Sequence, residues 1–132
     1  MNSGIIPASW SGHILSALRI MTGLLFLAHG TVKLFAWPVA MDWFKDLQIF
    51  SLMGLAGILE TVGGILIILG LFTRPTAFIL SGMMAVAYFM GHAGQGFWPI
   101  VNQGELAIMF SFVFLYLAAA GGGTLSLDTA RG

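Results

Sequence analysis

Four long apolar stretches occupy most of this chain, and they constrain its fold more than any other feature. They run from Ile14 to Leu34, Phe50 to Phe72, Pro75 to Gly91 and Gly104 to Gly121. A helix needs about 20 predominantly apolar residues to cross a bilayer. Charged residues make up only 8% of the chain, against about 25% in ordinary soluble domains. So few charges cannot coat a soluble domain, and four buried core helices would leave too little polar sequence for an outer shell. The expectation is an all-α membrane protein. Residues 1–132 should form a single domain, a compact antiparallel bundle of four transmembrane helices.

Several function classes drop out at once. Formal net charge is zero, so there is no basic footprint for nucleic acid. The chain has no cysteine, which excludes a dithiol relay, a persulfide carrier and a thiolate-held iron–sulfur cluster. The first apolar stretch is not a signal peptide by pattern. No Lys or Arg precedes Ser11, Arg19 interrupts the run, and no small-residue cleavage site follows. It is expected to stay as a membrane helix.

The connections differ in kind. Thr73-Arg74 joins the second and third helices, and Pro75 suits a first helical turn, so this pair forms a tight antiparallel hairpin. The first connection, Ala36 to Ile49, mixes Trp37, Trp43 and Phe44 with Asp42, Lys45 and Asp46. That mixture predicts a short interfacial amphipathic helix or loop. Ala93 to Gln103, with its glycines and Phe97-Trp98-Pro99, also reads as an interfacial loop. Four crossings put both termini on one side, with Arg19, Arg74 and Arg131 toward it and Lys33 and Lys45 toward the other. The slight excess favours cytoplasmic termini.

An ionisable residue within a bilayer is costly and normally faces the protein interior or water. His29 and Lys33 are four residues apart on one helical face, which Phe26, Gly23 and Arg19 roughly continue. Glu60 lies roughly 15 Å into the second helix at 1.5 Å per residue. His92 closes the third helix, and Asn102 and Glu105 open the fourth. By depth, His29, Lys33, Glu60, His92, Asn102 and Glu105 share the half of the bundle away from the termini, where they can line one polar cavity. Structural roles compete with that picture. Glu60 can neutralise His29 or Lys33, Lys33 can snorkel to the headgroups, and Glu105 suits a positive helix N-terminus. Arg19, Arg74 and Asp128 form a second cluster on the termini side, read mainly as structural, with Asp128 paired to either arginine. Glycines such as Gly57, Gly63 and Gly64 serve close helix packing.

These residues resemble the DoxX family of small membrane proteins. The matching pieces are Arg19-x-x-x-Gly23-x-x-Phe26-x-x-His29-Gly30-x-x-Lys33-Leu34, Gly57-x-x-Glu60-x-x-Gly63-Gly64 and Gly70-x-x-Thr73-Arg74-Pro75. His92, Trp98-Pro99-x-x-Asn102-x-Gly104-Glu105 and Ser126-Leu127-Asp128 complete the match. The family is named for a membrane subunit linked with thiosulfate:quinone oxidoreductase. The resemblance implies a four-helix subunit of a quinone-linked redox complex in a prokaryotic inner membrane, with quinone as ligand and lipid, other membrane subunits or a second copy as partners. In that setting His29, Lys33 and His92 would donate to quinone oxygens, and Glu60 or Glu105 would relay protons. A non-catalytic assembly subunit and a small solute or proton pathway are the alternatives. A metal or haem on His29 and His92 is disfavoured by their unequal depths, and no metal is assigned.

Overall fold

The computed structural model describes residues 4–132. Among them, regular structure is helical throughout. The long elements are α1 (Ser11–Phe35), α2 (Leu52–Leu69), α3 (Thr73–Gly91) and, after the short α4 (Pro99–Asn102), α5 (Glu105–Ala120); α6 (Leu127–Arg131) closes the chain. Three segments are long and apolar enough to cross a membrane: Ala8–Phe35, Leu52–Leu69 and Thr73–Gln95. α5 is equally apolar but only 16 residues long, about 24 Å at 1.5 Å per residue.

Burial follows an inverted pattern. Large apolar side chains such as Leu25, Val62, Ile79, Phe89 and Phe112 are exposed, while Ser16, Arg19, Thr22, Glu60, Ser81 and Asn102 are buried. Outward apolar faces, with polar side chains buried beside apolar ones such as Phe26, Ile67 and Phe114, suit a lipid solvent, where every interior polar group needs a partner from the protein itself. The chain is an integral membrane protein.

Local chemistry sets the helix ends. Ser51 caps α2 by accepting a hydrogen bond from the Gly54 N–H at 3.0 Å. Gly70 ends α2 in the left-handed region at φ 66°, which glycine adopts without steric cost. The second apolar stretch therefore stops at Leu69 as a helix, and Gly70–Phe72 forms the turn. Thr73-Arg74, expected as the link, instead begins α3. In the first connection the predicted amphipathic helix shrinks to a single 3-10 turn, Asp42–Phe44. Its side chains are too mixed in polarity to give a helical stripe.

The residues fall into two compact units, Met1–Thr73 with Gly122–Gly132, and Arg74–Gly121. In the first, α1 packs along α2 through glycines. A Cβ on Gly30 would stand 2.6 Å from the Thr61 backbone nitrogen and 2.9 Å from Glu60 Cβ. One on Gly64 would stand 3.0 Å from Leu27 Cα. This close approach places side chains of α1 and α2 in direct contact. The C-terminal segment lies on the same unit. The Thr124 N–H donates to the Gly12 carbonyl at 3.1 Å, the Leu125 N–H to Ser16 Oγ at 2.9 Å, and the Asp128 N–H to the Gly70 carbonyl at 2.9 Å.

In the second unit α3 and α5 are cross-linked by a reciprocal pair. Ser81 Oγ donates to the Ser111 carbonyl at 2.7 Å, and Ser111 Oγ donates to the Ser81 carbonyl at 2.9 Å. Phe110 and Phe114 stack beside each other with ring centroids 5.8 Å apart.

Candidate functional site

The α1–α2 unit holds an ion pair in its interior. Lys33 Nζ lies 2.8 Å from Glu60 Oε1, with the two side chains 11% and 5% exposed. Glycine packing brings the pair together, because Gly57 sits against Leu34 and Lys33 while Gly30 sits against Glu60. The ammonium also lies 5.1 Å from the centroid of the Phe44 ring, within cation–π range. One cation thus bridges the helix interior and the first connection.

Beside Lys33 is an open cleft of about 490 Å³. Its walls are mainly apolar, from Val32, Leu34, Phe35, Phe44 and Ile49, with Lys33 and Lys45 as the charged groups. Ligand sites commonly have such volumes, with apolar walls and few polar groups. The cleft is formed by the end of α1 and the connection that follows it.

His29 lies one turn before Lys33, near enough to Glu60 for their charges to interact. It is exposed, and its Nδ1 bonds the Leu25 carbonyl of its own helix at 2.8 Å. The buried face of α1 passes through Arg19, Phe26 and Gly30, so His29 turns away from it although Lys33 follows four residues later. One helical turn brings the two residues to neighbouring positions, while the stripe that faces α2 is narrower than the stripe drawn from spacing alone.

The second unit contains His92, Asn102 and Glu105. His92 Nδ1 is 3.0 Å from the Asn102 carbonyl oxygen. The Asn102 amide nitrogen donates to Tyr88 Oη at 3.0 Å and to the Gly96 carbonyl at 2.9 Å. Its Oδ1 accepts from the Gly104 N–H at 2.8 Å, and Asn102 is fully buried. Glu105 is exposed in the first turn of α5. Tyr88 is the member of this group that sequence reasoning missed. Its position one turn before His92 was the available signal.

The Arg19–Arg74–Asp128 grouping also resolves into separate contacts. Arg19 is 1% exposed and donates to three main-chain carbonyls: Gly122, Leu125 at 2.8 Å and Ile68 at 3.3 Å. Its hydrogen bonds go to carbonyls, and the Asp128 carboxylate acts on it as a nearby opposite charge. Asp128 accepts from the N–H groups of Phe72 and Thr73, each at 2.8 Å, where the chain enters α3. Arg74 is exposed, alongside Gly121.

Partial burial pushes the Asp128 carboxyl upward, but the hydrogen bonds from Thr73 and Phe72 and the charge of Arg131 outweigh it, leaving it below the usual aspartate value. A depressed value means that the stabilisation is complete above the unfolded-state value and is lost as pH falls through the folded one. Asp128→Ala should destabilise the protein by about 1 kcal/mol, the usual cost of a lost helix-entry cap. Thermal unfolding in detergent should show that difference at neutral pH and show it shrinking in acid. A constant difference across that range would refute the assignment.

Among the described residues no group of three or more His, Cys, Asp or Glu side chains is placed to hold a metal ion. The family model for DoxX matches residues 14–93. An uncharacterized protein of Haemophilus influenzae is 46% identical over 119 residues, covering 88% of this chain and 89% of its own. "Inner membrane protein YphA" of Escherichia coli is 29% identical, with 87% and 88% covered. "Putative oxidoreductase CatD" of Bacillus subtilis is 27% identical, with 84% and 81% covered. No solved structure matches the chain.

Proposed function

The chain belongs to the DoxX family, and from that premise we propose that it is an inner-membrane subunit of a redox complex that binds a quinone. The observation that carries this is the apolar cleft with Lys33 at its edge, backed by Glu60 at 2.8 Å. A quinone ring needs apolar walls and a donor for its oxygen. Val32, Phe35 and Phe44 would flank the ring, Lys33 would donate, and Glu60 would hold the ammonium in place. The quinone supplies the two-electron chemistry when bound; this chain's residues bind, orient and exchange protons. The name of the CatD relative agrees with a redox setting.

In this proposal α5 makes a fourth crossing, giving a four-helix antiparallel bundle. Both termini then face the cytoplasm, on the side richer in arginine. Either other membrane subunits or a second copy cover part of the apolar surface.

The test is mass spectrometry of the gently extracted protein, scoring proteins and lipophilic molecules that leave the membrane with it. A bound quinone together with a stoichiometric oxidoreductase supports the proposal. An enzyme that co-purifies but keeps full activity without this chain would make the chain an assembly subunit. A homogeneous, ligand-free protein would overturn the redox reading, and flux in liposomes would then examine a solute or proton pathway.

A further inference from the structure

The side chain of Asn102 makes its hydrogen bonds inside the protein. Both amide protons are donated, to Tyr88 Oη and the Gly96 carbonyl, and Oδ1 accepts from the Gly104 N–H. An amide offers two donors and a carbonyl oxygen with two lone pairs, and here three of those four positions are engaged in a fully buried residue. These bonds pin the stretch from Gly96 to Gly104 against α3. Gly104 is itself closed in by the Tyr88 ring, which lies within 2.6 Å of where a Cβ would be at its Cδ2 atom. Gln103 takes a left-handed conformation at φ 60°, so the chain turns sharply just after Asn102. The result of this anchoring is that the Asn102 main-chain carbonyl is aimed at His92 Nδ1, 3.0 Å away.

A carbonyl oxygen only accepts, so the contact requires a proton on Nδ1. In a neutral imidazole the other nitrogen is then an acceptor, and the tautomer is set by the bond its partner nitrogen makes. We propose that Asn102 is a positioning residue that locks neutral His92 as the Nδ1–H tautomer and so presents Nε2 as a proton acceptor. His92 is half-buried, and its ring lies nearly parallel to that of Tyr88, at 23° with centroids 6.4 Å apart. Tyr88 Oη already accepts from Asn102, which leaves its own proton free to donate. The partner suited to Nε2 is a weakly acidic O–H group.

The test is long-range proton–nitrogen NMR on the full chain, labelled with nitrogen-15 histidine and held in lipid nanodiscs at a pH where the imidazoles are neutral. His92 should show a protonated Nδ1 and an unprotonated Nε2. An Nε2–H tautomer in the unaltered protein overturns the lock. Asn102→Ala should release His92 to a mixture of tautomers while the patterns of His13 and His29 stay as they were. An unchanged His92 pattern in that variant overturns the role of Asn102. Should Asn102→Ala fail to fold, Tyr88→Phe removes one acceptor of the amide and should shift the same population in part, and no shift there counts against the lock. Because the readout needs no quinone, a failed lock and a failed quinone site give separate results.

Discussion

Arg19→Met should cost about 3 kcal/mol of stability, the largest effect of any single change in the unit built on α1 and α2. The estimate comes from three stranded acceptors at about 1 kcal/mol each, the low end for a buried group that loses its partner. Arg19 donates to the Gly122, Leu125 and Ile68 carbonyls, and it is 1% exposed, so water cannot replace it. Methionine fills much of the same space, which separates the lost hydrogen bonds from a cavity. Arg19→Lys keeps the charge but loses the planar fork that reaches several carbonyls at once, and should fall between the two. The measurement is reversible unfolding in mixed detergent, paired with protease release of the C-terminal segment that Arg19 holds. A change below about 0.5 kcal/mol, the level of an ordinary surface substitution, would contradict the role given to this residue.

Lys33→Met should follow closely, at about 3 kcal/mol, because it leaves a buried carboxylate without its cation. Glu60 is the more enclosed partner, at 5% against 11% exposure, and its Cβ is pressed against Gly30. Lys33 can extend along its apolar stem toward the surface, so Glu60→Gln should cost less, about 1 kcal/mol. The double variant should recover most of the loss, since a buried pair replaced as a whole is often nearly neutral. A double-variant cycle measures the coupling. Equal and additive losses would mean that the two side chains act independently. In the assembled complex Glu60→Gln should also lower quinone-dependent activity while the fold persists.

Legibility in the sequence differed from one element to another. Helix positions were visible because an 18- to 25-residue apolar run has few alternatives in lipid, and Pro75 suits a first helical turn, whereas the cap at Ser51 and the stop at Gly70 were not read. The pairing of Lys33 with Glu60 was also within reach, since a buried carboxylate calls for a cation at matching depth. His29 was placed on the face of Lys33, and a three- or four-residue step cannot distinguish the centre of a buried stripe, where Gly30 lies, from its exposed edge, where His29 lies. Asn102 was singled out for its polarity, but its bonds run to Tyr88 and to main-chain groups of a loop whose path no periodicity encodes. Arg19 was read as part of a structural cluster with Arg74 and Asp128. Its carbonyl partners come from the far end of the chain, at Gly122 and Leu125, and main-chain acceptors leave no trace in residue identity.

The most direct test of the quinone site is photolabelling of the protein in native membrane vesicles with a light-activated quinone analogue, followed by peptide mapping. The account predicts labelling concentrated between Val32 and Ile49, the walls of the cleft. That labelling should be displaced by excess unlabelled quinone and sharply reduced in Lys33→Met. Labelling spread evenly over the lipid-facing helices and indifferent to competitor would contradict it.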